Sequence, residues 1–552
     1  MPRAAPFLAI VGYLVLAAPR PSAQTVGTAW ARFYDGPAGS VDQSTALAVD
    51  AQGNTYVAGI TDVSAPYSWP EYDIATVRYS PAGDLMWARR YNGPGNGNDV
   101  GCAIALDQAG DVYVAGYSPG SGTLDDFILI KYLWKGSFLW QRRYDGPAHG
   151  VDQAKAMTID GADHIYIAGF SEGAGSGYDY VTLKYDLTGA LLWQQRYNGS
   201  GNADDSAVAL AVDGSGNVHV AGTSTGATSG LDFLTVKYDA DGNLLWERRY
   251  DGEGHQADQA TALAVDAAGN VYVTGTSWTG APSSYDYLTV AYDSDGNLLW
   301  SRLYDGPGHG DDRPAALALD SSGGICVTGS SWAGGVSDYD YMTVKYDATG
   351  GLLWARAYNG RERVGSCCVP DEARDIQTDP HGNVYVTGVS FGGDTWEDCV
   401  TLKYSPNGDL LWEQRDGSGS RFEYGVALRL DSSYSVYVTG YSDMACPTFN
   451  CADYLTIKYV QCRCTCHPDP QCDGVCNILD VVKSVGIVIR GEAAIPDPDE
   501  LCHVCTERPC YHIEATDVDC DGVTTAADIA LMVMTAFQGR KPATVFCNPC
   551  SP

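Results

Sequence analysis

Two stretches near the C-terminus carry the plainest chemistry. The twelve residues DPQCDGVCNILD run from Asp469 to Asp480 and set oxygen donors at alternate positions. Numbered as a calcium loop, Asp469 stands at position 1, Gln471 at 3, Asp473 at 5, Gly474 at 6, Asn477 at 9 and Asp480 at 12, with the backbone carbonyl of Val475 at 7. A second copy, DVDCDGVTTAAD, sets Asp517, Asp519, Asp521, Gly522, Thr525 and Asp528 at the same positions, with Val523 at 7. Calcium takes about six to eight hard oxygens, and this spacing turns alternate side chains toward one centre while Gly makes the sharp bend. The spacing predicts two calcium sites. The first departs from the pattern at Gln471, where Asn or Asp is usual, and Pro470 stiffens its start.

Each loop runs into an apolar helix candidate, VVKSVGIVIRG after Asp480 and IALMVMTAFQG after Asp528, and a Gly closes each one as a C-terminal cap does. The same tail holds CxxC pairs at Cys502–Cys505 and Cys547–Cys550, with His467, His503 and His512 nearby. Those residue types bind zinc. The two pairs stand about 40 residues apart, however, against the roughly 15 to 20 of a zinc ribbon.

The elements that position such groups follow from composition and periodicity. The chain has 552 residues and a formal net charge of −34. That charge argues against nucleic acid and against an anionic membrane surface as partners, since both need a basic footprint. Gly 64, Tyr 36 and Trp 13 with only 18% charged residues is a strand-rich and turn-rich composition. Hydrophobic residues at 45% suffice for a core.

Residues 1–23 read as a signal peptide: Arg3 gives a basic start, and the apolar run from Phe7 to Ala18 is too short to span a bilayer of roughly 30 Å. Cleavage after Ala23 fits, although Pro21 sits at the −3 position. No later stretch reaches a membrane-spanning length, so no transmembrane helix is expected. In an exported chain, 18 Cys favour disulfides, and 13 of them lie between Cys446 and Cys550. Cys446 and Cys451 flank a short loop and could pair. Cys102 and Cys326 sit in strand-like runs and read as buried thiols.

Self-similarity dominates from Trp30 to Tyr459. A Trp recurs at 30, 87, 140, 193, 246, 300, 354 and 412, and a Gly at 59, 116, 169, 222, 275, 329, 388 and 440. The spacing is 52 to 59 residues. One unit, from Leu244 to Asn297, contains ALAVD (262–266), NVYVTG (270–275) and DYLTVAY (286–292), and LLWSRLY (298–304) follows. These are four short strand candidates separated by Asp/Gly turns, the pattern of a propeller blade. The Trp strand comes first in the chain and is missing after the last unit. The N-terminal segment can therefore complete the final blade, which predicts an all-β, eight-bladed ring of four-stranded blades over residues 24–460, with a disulfide-rich α/loop module over 461–552.

The motif D-x-x-G-N-V-Y-V-T-G followed by D-Y-x-T-x-K-Y-D-x-x-G-x-x-L-W resembles the SBBP-type β-propeller repeat of exported microbial proteins. The resemblance covers about 430 residues in eight copies. It implies a propeller in an extracellular setting and no defined catalytic activity. The two loop–helix units, with Asp at position 12, resemble a type I dockerin, which implies calcium and a cohesin-like extracellular protein as partner. The loop starts lie 48 residues apart, longer than a compact dockerin needs, and the extra segment carries Cys502, Cys505 and Cys510.

Within the repeat, Asp42, Asp99, Asp152, Asp205, Asp258 and Asp312 precede inner strands. Two readings stand: a ring of carboxylates for a cation or polar ligand near the central channel, or caps on the turns between blades. Copies in nearly every unit favour the caps. Asp35, Asn92, Asp145 and Asn198 read as turn residues, and Arg32, Arg89, Arg142 and Arg248 as links between blades. Unique loops at 361–374, with adjacent Cys367 and Cys368, and at 391–398 read either as tolerated surface insertions or as the better places to look for binding, and the propeller face as a surface for a glycan or a protein.

The expectation is a secreted, non-catalytic binding or scaffold protein with a calcium-stabilised docking tail. An extracellular enzyme is the alternative. Eight-bladed rings with a Trp in each unit resemble quinoprotein dehydrogenases, but DxDGNLLW departs from that family's repeat. A glycan-active hydrolase would need a carboxylate pair about 5 to 9 Å apart, to which no spacing points. A purely structural surface component is the third reading.

Overall fold

The computed structural model describes residues 25–64, 71–227, 229–252, 255–280, 284–334, 339–360, 371–392, 397–417, 422–443 and 452–462. Every regular element among them is a strand, and the strands form eight four-stranded antiparallel sheets. The eight-bladed ring expected from the repeat is the observed fold. The signal segment, the calcium loops, the tail cysteines after Cys462, Cys367–Cys368 and Cys446–Cys451 all lie outside the described residues. Among the described residues no helix is long and apolar enough to cross a membrane.

Blade 5 shows how the sequence builds one sheet. Its strands are Asp258–Val265, Val271–Gly280, Ser284–Tyr292 and Leu298–Tyr304, running outward from the ring centre in that order. Between the first two, Asp266 Oδ1 accepts the amides of Ala268 and Asn270, both at 2.9 Å. Its Oδ2 accepts Asn270 Nδ2 at 2.8 Å and Tyr272 Oη at 3.1 Å. One carboxylate thus closes the turn and anchors the next strand, while Gly269 takes the φ of +82° that other residues resist.

The inner strand begins four residues earlier than the apolar run suggested. Asp258 to Thr261 alternate buried and exposed and pair with the end of the second strand through a bulge between Ala260 and Ala262. Asp and Gln are weak strand formers, so pairing overrides propensity here.

Ring closure follows the chain order. The strand Thr25–Tyr34 pairs antiparallel with Asp453–Cys462 and forms the outer strand of blade 8, whose other strands are Val436–Ser442 and Glu423–Leu430. Blade 8 therefore contains both ends of the ring.

The core is a set of layers between neighbouring blades. Phe233 and Trp246 of blade 4, for example, pack with Val271, Val273, Leu288 and Val290 of blade 5. Trp246 Nε1 donates to Ser294 O of the next blade at 3.1 Å, and Arg248 Nε donates to Gly296 O at 2.5 Å. A Cβ on Gly296 would lie 2.8 Å from the Trp246 ring, so only Gly lets the turn sit on the indole. At the closing seam Trp30 and Arg32 make the same bonds to Pro81 O and Gly83 O, at 3.0 and 2.7 Å. The Arg of each W-x-R-x-Y run is thus an inter-blade link, to a carbonyl rather than to a carboxylate. Cys102, Cys326 and Cys399 are free thiols; burial pushes Cys102 up to about 11 and Cys326 up to about 12.

Candidate functional site

In an antiparallel blade the first and third strands start, and the second and fourth end, at the same edge. Three positions lie there at each junction: one opening the third strand, one following the outer strand, and one opening the inner strand of the next blade. In four junctions all three are Asp: Asp126, Asp145 and Asp152; Asp232, Asp251 and Asp258; Asp286, Asp305 and Asp312; and Asp35, Asp42 and Asp453. Within each group one oxygen of each carboxylate lies within 4.8 Å of the others. Donors at this spacing could hold a hard cation.

The inner-strand Asp of each junction does cap a connector. Asp42, Asp99, Asp152, Asp205, Asp258 and Asp312 each accept the amide of the Gly six residues earlier, at 2.5 to 2.7 Å. They are at most 1% exposed, so they are enclosed between blades and do not stand in an open channel. Burial raises their carboxyls, with Asp42 and Asp312 reaching about 6. The third-strand Asp was not singled out from the sequence. Its signal is its recurrence at the head of every third strand: Asp73, Asp126, Asp179, Asp232, Asp286, Asp340, Asp398 and Asp453.

Positive charge at the junctions varies. Arg143, Arg196 and Arg249 pair with Asp126, Asp179 and Asp232 at 2.9, 2.6 and 2.8 Å. Arg90 and Arg415 pair with Asp73 and Asp398, both at 3.1 Å. Leu303, Ala357 and Phe33 stand at the equivalent positions in blades 5, 6 and 8. On the connector, His149, His255 and His309 contact Asp145, Asp251 and Asp305 at 2.6 to 2.7 Å, which raises the imidazoles. Where the connector begins with Asn92 or Asn198, the partner is Asn96 or Asn202 instead. These positions are turn residues, as expected.

A second, unrepeated group flanks the unique loops. Residues 361–370 and 393–396 are outside the described set, but Glu372, Arg374 and Glu397 border them. Glu372 pairs with Arg374. Burial, followed by the charge of Glu372, pushes Glu397 up to about 7. Glu397 Oε2 is enclosed and has no hydrogen-bond partner among the described residues. Tyr441, whose hydroxyl is raised by burial and lies in the field of Arg374, Glu397 and Glu372, stacks on Tyr424 with centroids 4.6 Å apart and a 20° interplanar angle. Blade 8 is the one blade that places two aromatics opposite each other at this register.

The predicted tail ligands, Asp469 to Asp480 and Asp517 to Asp528, are outside the described residues.

The repeat has a known counterpart. Residues 249–280 match the family model SBBP: Beta-propeller repeat. A regulatory protein FlaEY of Caulobacter vibrioides is 34% identical over 141 residues, covering 22% of this chain and 14% of its own length. An uncharacterized WD repeat-containing protein of Acanthamoeba polyphaga mimivirus is 22% identical over 506 residues, covering 80% of this chain and 32% of its own. The chain thus spans a third or less of the length of these curated relatives. Among solved structures, a polysaccharide lyase matches with 12% identity and a TM-score of 0.39, over 68% of this chain and 92% of that one. A gluconolactonase from Xanthomonas campestris matches with 17% identity and a TM-score of 0.27, over 58% of this chain and 99% of that one. Eight sheets in a closed ring, and a repeat model matching from the end of one through two strands of the next, make this chain a β-propeller repeat protein.

Proposed function

We propose that the chain is an exported binding or scaffold protein. The propeller presents a rigid surface, and the tail docks it to an extracellular, cohesin-like protein through two calcium-stabilised loops. The observation that supports the binding reading is repetition. The same connector, with its capping Asp and buried carboxylates, recurs around the ring, so the polar groups of that edge hold the scaffold in blade after blade. A rigid ring of similar units offers a broad surface, as other repeat arrays do. The docking reading rests on the tail spacing of Asp469, Gln471, Asp473, Val475, Asn477 and Asp480, and of Asp517, Asp519, Asp521, Val523, Thr525 and Asp528. Ligands that repel one another without metal fold with it. The test is retention of the full chain on an immobilised cohesin domain. Retention in calcium, release by chelator and loss in Asp473→Ala/Asp521→Ala are expected. Retention indifferent to both loops would remove the docking reading.

One observation favours a second reading, a glycan-active hydrolase. Glu397, held protonated up to about 7, has the state of a general acid, and Glu372 is its charged neighbour. Stacked Tyr424 and Tyr441 offer an aromatic platform beside them. If this group is catalytic, Glu397→Gln abolishes turnover on a responsive polysaccharide by about 100-fold or more. Wild-type turnover would also fall as pH rises above about 7. A polysaccharide panel with no turnover, or turnover untouched by the substitution, would dismiss the enzyme.

A further inference from the structure

We propose that the turn between the third and outer strands of blade 2, Leu133–Ser137, is a docking site for the chain's own acidic, proline-spaced segment Ile495–Leu501, which lies between the two calcium loops of the tail. Blade 2 consists of Val100–Leu106, Val112–Pro119, Asp125–Tyr132 and Phe138–Tyr144. Its turn departs from a rule that the other blades keep. Asp186, Asp239, Asp293 and Asp347 open the equivalent turns of blades 3 to 6, and Oδ1 of each accepts two turn amides at 2.8 to 3.0 Å. Ser80 and Ser405 open the turns of blades 1 and 7 and accept turn amides with Oγ. The Leu133 side chain has no acceptor, so blade 2 gives up a cap that steadies the other turns of this kind.

A repeat that breaks its own rule at one exposed place marks a surface kept for something besides the scaffold. What replaces the cap is apolar, aromatic and basic. Trp134 is 46% exposed and Leu133 is 36% exposed, and Phe138 and Leu139 continue the patch. Exposed apolar pairs like Phe138 and Leu139 open the outer strand in blades 1 to 6, so the distinguishing residues are those of the turn. The Trp134 backbone is fixed. Its amide donates to Asp111 Oδ1 at 3.1 Å, and its carbonyl accepts Trp87 Nε1 and Arg78 Nη1, both at 3.1 Å. The indole is thus presented at one place, with the Arg78 guanidinium 5.5 Å and the Lys135 ammonium 4.8 Å from its ring. An exposed Trp with cations beside it is the kind of anchor that carries binding energy in protein contacts.

Charge and connectivity select the occupant. The six other turns each carry an Asp, at Asp84, Asp186, Asp239, Asp293, Asp347 and Asp409, whereas Leu133–Ser137 carries Lys135 and no acid. On a chain of net charge −34, an acidic segment is repelled at those six turns and attracted at this one. The tail leaves the ring on the same side. Third strands end, and outer strands begin, at the edge where these turns lie, and Cys462 ends the third strand of blade 8 opposite Thr25. Blade 1 alone stands between that exit and blade 2, and residues 463–494 can reach up to roughly 100 Å. Glu492–Leu501 reads EAAIPDPDEL. Pro496 and Pro498 favour an extended backbone whose rings stack on aromatic side chains, while Asp497, Asp499 and Glu500 pair with Lys135. Ile495 and Leu501 supply apolar side chains for Leu133 and Phe138. Tethering holds the segment at an effective concentration of up to about a millimolar, so a weak site suffices. The segment belongs to the stretch by which the tail exceeds a compact dockerin, and none of its residues is a predicted calcium ligand. The inference is therefore independent of the docking reading.

The test is zero-length carbodiimide crosslinking of the full chain, read by peptide mass spectrometry. An amide between Lys135 Nζ and the carboxyl of Asp497, Asp499 or Glu500 is expected. A mixture of isotope-labelled and unlabelled chain should give pairs of one label only. Trp134→Ala keeps the lysine and removes the anchor, so the crosslinked pair should fall by about tenfold. A synthetic peptide of residues 492–501 in excess should suppress it as well. If Trp134→Ala does not fold, Lys135→Glu reads the same contact by small-angle scattering, as a larger radius of gyration than the wild type at equal calcium. The proposal is overturned if Lys135 joins only carboxylates of the ring, if the pair is indifferent to Trp134→Ala, or if Lys135→Glu leaves the scattering unchanged. Pairs of mixed label would also overturn it, because they assign the turn to a second copy.

Discussion

Removing residues 1–34 should open the ring. The deletion takes away the strand Thr25–Tyr34, the ladder it forms with Asp453–Cys462, and the Trp30 and Arg32 bonds that reach Pro81 and Gly83 of blade 1. Trp30 is 6% exposed and packs with Tyr79 and Tyr437 from the two blades it joins. Losing a buried Trp costs about 3 to 5 kcal/mol by itself, and the unpaired ladder adds to that. The deletion also bares an edge strand, which invites association. The expected result is a lower melting temperature together with oligomers in size exclusion with light scattering. A synthetic peptide of residues 25–36 should reverse both. A truncated chain that stays monomeric and melts with the full-length protein would show that the ring does not depend on its closing strand.

Gly275→Val should be nearly as damaging, although the residue touches no ligand. The recurring Gly at the end of the V-Y-V-T-G run opposes the bulge of the inner strand. A Cβ there would lie 2.0 Å from Gln259 O and 2.7 Å from Ala260 Cα, both backbone atoms. A flexible side chain could swing away, but paired backbone cannot. A loss of about 3 kcal/mol or more is expected, read from the denaturant midpoint. Gly161→Ala is the control: a Cβ at Gly161 meets nothing within 4 Å, so that variant should unfold with the wild type. Equal stability of Gly275→Val and Gly161→Ala would contradict the steric account. The same argument applies to Gly59, Gly169, Gly222 and Gly329, where a Cβ would stand 2.0 to 2.1 Å from a carbonyl oxygen.

These two results bear on what was legible in advance. The spacing of Trp and Gly landmarks revealed the number of blades and the strand that closes the ring, because each blade repeats the same local rules: period-two alternation, an Asp/Gly turn, and an edge Trp. The reason for the landmark Gly was not visible, since the backbone it avoids belongs to the neighbouring strand. The capping role of Asp42 and its equivalents could be argued from recurrence alone. Its companion at the head of the third strand, such as Asp453, was overlooked because it lies far away in sequence and looks like an ordinary strand residue. The Glu372, Arg374 and Glu397 group shows the same limit, because three unremarkable charged residues acquire meaning only when the blade edges bring them together.

By itself the amino-acid sequence determined the repeat, the strand content, the closure by the N-terminal segment and the acidic charge, since these depend on local periodicity and composition. Only the tertiary structure decided which carboxylates face one another, which of them have a guanidinium or imidazole beside them, and which are enclosed. Those properties arise between blades, where residues about 50 positions apart, or almost the whole ring apart at the seam, share one low-dielectric space, and no local pattern records that proximity.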